Sequence, residues 1–125
     1  MTVFGRRLFI LIADDNRDLV RGLSLLLNLA GFEVETVHDG LAALRAARAR
    51  KPDVVILDIG LPGMDGFQVA EHMRADQALK NIPIIAISGY DKDMFPGRSG
   101  RAGFDHHLVK PVDFQTITSL LARLL

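Results

Sequence analysis

The sequence predicts an α/β domain built on a doubly wound, five-stranded parallel sheet with helices on both faces. Three observations carry that prediction. Short apolar runs rich in β-branched residues alternate with segments of helical period, the pattern of repeated βα units. The runs Leu8 to Ala13 and Val54 to Leu57 are continuous rather than alternating, as expected for strands covered on both faces. The length, 125 residues, is that of one domain and leaves no room for a second.

In order along the chain, the first strand is followed by a helical stripe of Leu19, Leu23, Leu26, Leu27 and Ala30. Gly31 stands where helices favour a glycine stop. Glu33 to Val37 reads as a short strand, and Leu41, Leu44 and Ala47 mark a second amphipathic helix. Pro52 punctuates before the central strand, which closes at Asp58. Gly60 to Gly66 is dense in Gly and Pro and must be a loop. A helix from about Phe67 to Arg74 then turns Phe67, Ala70 and Met73 inward. Pro83 to Ser88 is the fourth strand and His106 to Val109 the fifth. The last helix shows Phe114, Ile117, Leu121 and Leu124 at helical spacing. Asp91 to Gly103 suits a helix badly, because it holds Pro96, Gly97, Gly100 and Gly103.

Composition narrows the function. Fifteen basic and fifteen acidic residues give a formal net charge of zero, which argues against a broad basic surface for nucleic acid or membrane. No cysteine is present, so disulfide frameworks and thiolate metal sites are excluded. The apolar run near the N-terminus ends in two aspartates rather than a small-residue cleavage site, so no signal peptide is expected, and neither is membrane insertion. A cytoplasmic location is the expectation.

In an open parallel sheet, ligands sit outside the carboxyl ends of the strands. Here those ends carry Asp14 and Asp15, then Asp58, Ser88 and Lys110. Each alone has a plain structural explanation: a strand-end Asp can cap the next helix, a serine can form a turn, a lysine can lie on the surface. Their joint placement points to chemistry. Three acids in one pocket repel one another, and a hard divalent ion such as Mg²⁺ relieves that repulsion. A metal beside a carboxylate, with a hydroxyl and an ammonium facing it, is equipment for phosphoryl transfer.

The segments LFILIADDN, DVVILDIGLPGMDGF, IIAISGY and GFDHHLVKPVD together resemble the receiver domain of two-component response regulators, over essentially the whole chain. The resemblance implies a flavodoxin-like strand order 2-1-3-4-5 and one receiver domain over residues 1–125, with its core from about residue 7 and no output domain. It implies Asp58 as phosphoacceptor, Ser88 as the switch hydroxyl and Lys110 as the phosphate-pairing lysine. For Mg²⁺ it implies Asp15, Asp58 and the Gly60 carbonyl as ligands, with Asp14 acting through water, and it implies a cis peptide at Lys110-Pro111. The partner it implies is a histidine kinase or histidine phosphotransfer protein. It leaves the downstream partner open and a homodimer allowed. The domain would be a signalling switch rather than an enzyme, catalysing its own phosphorylation and slow dephosphorylation.

Two positions depart from the family pattern. The aromatic that usually stands three residues before the lysine is His107, and the fourth family helix falls on the Gly/Pro-rich segment. Tyr90 and Gly60 occupy positions that tune acyl-phosphate lifetime in the family. His106 and His107 point to opposite strand faces, which disfavours a metal pair. His38 and His72 read as surface residues, and Arg45, Arg48, Arg50 and Lys51 as a solvated basic face. Two rival readings stand beside the receiver: a phosphotransferase of the haloacid dehalogenase type with Asp14 as nucleophile, and a receiver fold acting as a phosphorylation-independent interaction module. No G-x-G-x-x-G follows the first strand, which disfavours a dinucleotide site.

Overall fold

The structure is a computed structural model that describes residues 2–3, 6–89 and 103–125. Tyr90 and most of the segment expected to make a poor helix lie outside the described residues. The chain opens with two short antiparallel strands, β1 (Thr2–Val3) and β2 (Arg6–Arg7), which no sequence pattern announced. Then follow β3 (Phe9–Ala13), α1 (Arg17–Leu29), β4 (Glu33–Val37), α2 (Gly40–Ala49), β5 (Val54–Asp58) and α3 (Gly66–Ala75). After these come β6 (Ile84–Ser88), β7 (His106–Val109) and α4 (Phe114–Leu124).

The main sheet is wholly parallel, in the order β4-β3-β5-β6-β7. Counting its five strands in chain order gives the expected 2-1-3-4-5. Strand order reverses at β3, so the crevice between the carboxyl ends of β3 and β5 is where ligand chemistry belongs.

Both faces of the central strands are buried, and the alternation of side chains splits the core in two. Leu11, Ala13, Val55, Leu57, Ile84 and Ala86 face α2 and α3, where Ala43, Leu44, Phe67, Ala70 and Met73 meet them. Ile10, Ile12, Val54, Ile56, Ile85 and Ile87 face α1 and α4, against Val20, Leu27, Ile117 and Leu121. Three residues of the expected inward stripes are exposed, and Leu19, Leu23, Phe114 and Leu124 are only half-buried. Leu26 and Leu41 are 44% and 47% exposed, and Ala30 is exposed at the C-cap. The buried stripe of α1 is instead rotated towards Val20 and Leu27, because a helix on a sheet buries only the narrow line that touches it.

Each helix starts on an Asx side chain: Asn16, Asp39, Asp65 and Asp113 accept a backbone N–H two or three residues into the helix. At Asp65 the cap is reciprocal, since Gln68 bonds back to the Asp65 N–H at 2.9 Å. Gly31 has φ 100°, the left-handed stop that ends α1. In mid-helix, Gly22 has nothing within 4 Å of where a Cβ would stand. Gly22→Ala is therefore expected to stabilise the protein by about 0.5–1 kcal/mol, read as a higher denaturation midpoint.

The amino ends of the strands carry paired charges. Arg6 forks onto Asp53 at 2.7 and 2.8 Å, and Asp53 also accepts the Phe9 N–H at 2.7 Å. Arg50 pairs with Glu33 and lies 4.0 Å above the Phe9 ring, while Arg48 reaches Asp76. The basic run is thus exposed, as expected, but partly paired. Further round, the Arg74 guanidinium on α3 binds four groups. It donates to the Gly103 carbonyl at 2.7 and 3.1 Å and to the Lys80 and Ile82 carbonyls at 2.9 and 2.8 Å. It also reaches Asp105 at 3.1 Å, whose carboxylate accepts the Ile84 N–H at 2.7 Å.

Candidate functional site

At the carboxyl end of β3 the Asp14 N–H extends the ladder to the Val37 carbonyl at 3.1 Å, which turns the Asp14 side chain into the crevice, wholly buried. Its Oδ1 accepts the Asn16 N–H at 2.9 Å, and Asn16 then caps α1. Neither Asp14 nor Asp15 is therefore the helix cap. Asp58 ends β5 at 6% exposure, and its Oδ1 accepts the Gly60 N–H at 3.1 Å. Gly60 thus stands in the loop directly beside it. Ser88, 2% exposed, ends β6, and its carbonyl accepts the Lys110 N–H at 2.7 Å. The Lys110-Pro111 peptide is cis, as expected.

The Lys110 ammonium lies 3.0 Å from Asp14 Oδ2 and 3.5 Å from Asp58 Oδ2. One oxygen from each of Asp14, Asp15 and Asp58 falls within 4.8 Å of the others, with Asp15 on the exposed side. Burial pushes the Asp58 carboxyl above its ordinary value, and the charges of Asp14 and Asp15 add to that. The Gly60 N–H and the Lys110 ammonium oppose the rise without cancelling it. Burial disfavours the Lys110 charge, yet the Asp14 hydrogen bond and both carboxylates hold its proton more tightly than usual.

The donor set fits a hard divalent cation. It offers oxygen donors only, it is over-supplied with negative charge, and among the described residues the buried Asp14 Oδ2 has no partner besides the Lys110 ammonium at 3.0 Å. Removing that ammonium should expose the conflict. Lys110→Met is expected to destabilise the protein by about 1–3 kcal/mol in chelator, less than for a fully buried pair because Lys110 is part-exposed. Urea denaturation at neutral pH, repeated at a pH low enough to protonate Asp58, should show the gap narrowing.

All the residues singled out at the strand ends meet at this edge. Ser88 Oγ and His107 Nε2 stand 2.9 Å apart. His106 and His107 pair in register with Ile85 and Ala86, whose side chains belong to opposite halves of the core, so they form no metal pair. One contact had no sequence signal. His38, expected on the surface, is half-buried, with its Nδ1 3.0 Å from the Asp14 carbonyl oxygen. His72 is exposed as expected.

A five-stranded sheet of this order, with an acidic cluster and a lysine at the switch point, defines a response regulator receiver, and residues 10–122 match the response regulator receiver domain family. The chain belongs to that family. It is 37% identical over 116 residues to the transcriptional regulatory protein PrrA of Mycobacterium tuberculosis, covering 91% of this chain and 47% of that one. It is 34% identical over 108 residues to the protein PilH of Pseudomonas aeruginosa, covering 86% of this chain and 89% of PilH. Among solved structures, the chemotaxis response regulator CheY4 of Vibrio cholerae superposes with a TM-score of 0.88 at 31% identity, covering 95% and 99% of the two chains. The chain spans about half the length of the transcriptional regulators it matches. Receiver domains are signalling switches rather than enzymes in the ordinary sense, and this membership favours the receiver reading over the dehalogenase-type one. Among the described residues, no helix is long and apolar enough to cross a membrane.

Proposed function

We propose that this chain is the phosphoacceptor switch of a two-component or phosphorelay system. It accepts a phosphoryl group onto Asp58 from a phosphohistidine on a histidine kinase or histidine phosphotransfer protein, and signals through its own surface. The observation that carries the reading is the setting of Asp58. It is a nearly buried carboxylate of raised proton affinity, at the sheet's switch point, beside a lysine and a second buried acid.

Asp15, Asp58 and the Gly60 carbonyl would hold Mg²⁺, with Asp14 acting through water. When bound, the ion neutralises charge on the phosphoryl oxygens. An Asp58 oxygen attacks phosphorus in line. The new P–O bond forms as the P–N bond to the donor imidazole breaks, and the imidazole leaves with the electron pair. Lys110, already between Asp14 and Asp58, offers its ammonium to the incoming oxygens. Ser88 supplies a hydroxyl from the adjacent strand end, and its approach to the phosphoryl group biases a two-state equilibrium. Slow self-catalysed dephosphorylation returns the switch.

Incubation with acetyl phosphate and Mg²⁺, followed by borohydride trapping and peptide mapping, tests this. One phosphoryl group should map to Asp58. A label on Asp14, or one that persists in Asp58→Asn, would overturn the assignment in favour of the dehalogenase-type reading.

A further inference from the structure

Ser88 and His107 lie on one face of adjacent parallel strands. His107 pairs in register with Ala86, and Ser88 pairs with Val109, so the two side chains are diagonal neighbours. Their polar atoms meet at 2.9 Å in a part-buried setting. On its other side the imidazole meets the Phe104 ring edge-on, with centroids 6.3 Å apart, and Phe104 rests on the buried Phe67 ring at 5.5 Å. Phe67 is the second residue of α3, directly after the acceptor loop. The imidazole is thus packed as an aromatic, but unlike a phenyl ring it presents a nitrogen to the hydroxyl.

A serine hydroxyl has a single proton to donate. To stabilise a phosphoryl oxygen on Asp58, Ser88 must point that proton at the oxygen. If His107 Nε2 accepts the same proton at rest, the two acceptors exclude each other. We propose that His107 is a positioning residue that acts as a brake: its Nε2 accepts the Ser88 hydroxyl proton in the resting domain, so the phosphoryl group must compete with an imidazole for it. A phenyl ring at this position offers no nitrogen and so no such competition. This inference rests on the reading of Asp58 as acceptor and Ser88 as its hydroxyl partner.

The test is a titration with beryllium fluoride and Mg²⁺, a phosphoryl mimic for aspartate, on wild type, His107→Phe, Ser88→Ala and the double variant. His107→Phe is expected to bind the mimic about 5- to 10-fold more tightly, tenfold corresponding to about 1.4 kcal/mol. In the Ser88→Ala background the same change should alter binding less than twofold, about the scatter of non-interacting sites. Unchanged or weaker binding, or an equal gain in both backgrounds, would overturn the proposal. An independent measurement uses the unliganded wild type, by ¹⁵N NMR of the His107 ring. Nε2 should resonate as an unprotonated acceptor and shift in Ser88→Ala; a protonated Nε2 overturns the proposal even if a variant fails to fold. If the wild type binds no mimic, the acceptor reading of Asp58 fails, and the ring measurement still decides the role of His107.

Discussion

Asp58→Asn should take up no phosphoryl group from acetyl phosphate and, in chelator, should melt at a higher temperature than the wild type. The first effect follows from the loss of the only nucleophilic oxygen proposed to attack phosphorus, since an amide oxygen does not form a stable acyl phosphate. The second follows from the sign of the Asp58 shift. Its carboxyl binds a proton more tightly folded than unfolded, because burial and Asp14 disfavour its charge. Between the unfolded value and the raised folded value, the native state holds more protons than the unfolded one. Native stability therefore falls as pH rises through that window, and the deficit persists at neutral pH. Asparagine removes the charge and keeps an oxygen for the Gly60 N–H. Mg²⁺ should reverse the ranking, stabilising the wild type by binding its native state and doing little for the variant. Scanning calorimetry of both proteins, with EDTA and with millimolar Mg²⁺, gives all four values. A wild type that outlasts the variant in EDTA would show that the pocket is not under charge strain.

Gly66→Ala should destabilise the domain by about 3 kcal/mol, at the upper end of ordinary overpacking. A Cβ there would stand 2.5 Å from the Asp58 carbonyl oxygen and 2.6 Å from the Ile59 Cα. Both are backbone atoms at the end of a central strand, and the Gly66 N–H already binds the Ile59 carbonyl at 2.9 Å. There is no flexible side chain to yield, so either α3 backs away or the end of β5 moves. The second response would displace Asp58, so labelling by acetyl phosphate should slow together with the loss of stability. Gly22→Ala is the matched control, because the same methyl group meets nothing there. Equal denaturation midpoints for the two alanine variants would refute the steric account.

Much of the fold could be read in the sequence because burial on two faces leaves a distinctive trace. The three central strands stand out as apolar runs, whereas Glu33–Val37 and His106–Val109 are mixed in composition and only partly buried. The polar residues at the carboxyl ends converge. The order of the strands came from the resemblance, not from any pattern in the runs. What escaped the sequence is what depends on distance along the chain. The Arg74 contacts join residues up to 31 positions apart, and nothing in the local sequence distinguishes that arginine from an exposed one. The His38 contact with Asp14 spans 24 positions, and the β1–β2 pair is too short to show a period. Leu26 and Leu41 failed for another reason. Helical spacing locates an apolar face but not its width, and both residues sit on the margin. The reciprocal cap at Asp65 and Gln68 could have been found, since an Asp followed three residues later by a Gln before an apolar run is its signature.

The Arg74 clamp gives the crossover between β6 and β7 two unlike ends. The chain leaves the sheet at Ser88, beside the acidic crevice, and returns at Gly103, whose carbonyl is gripped by a guanidinium that also holds the loop before β6. One end is anchored to the frame of the domain, while the other borders the place where charge is expected to arrive. Residues 103–105 are thereby tied to α3 and to the start of β6, which fixes how the chain enters β7. In mechanical terms Arg74 is a rivet, one side chain that pins three separate segments of the chain to a single point.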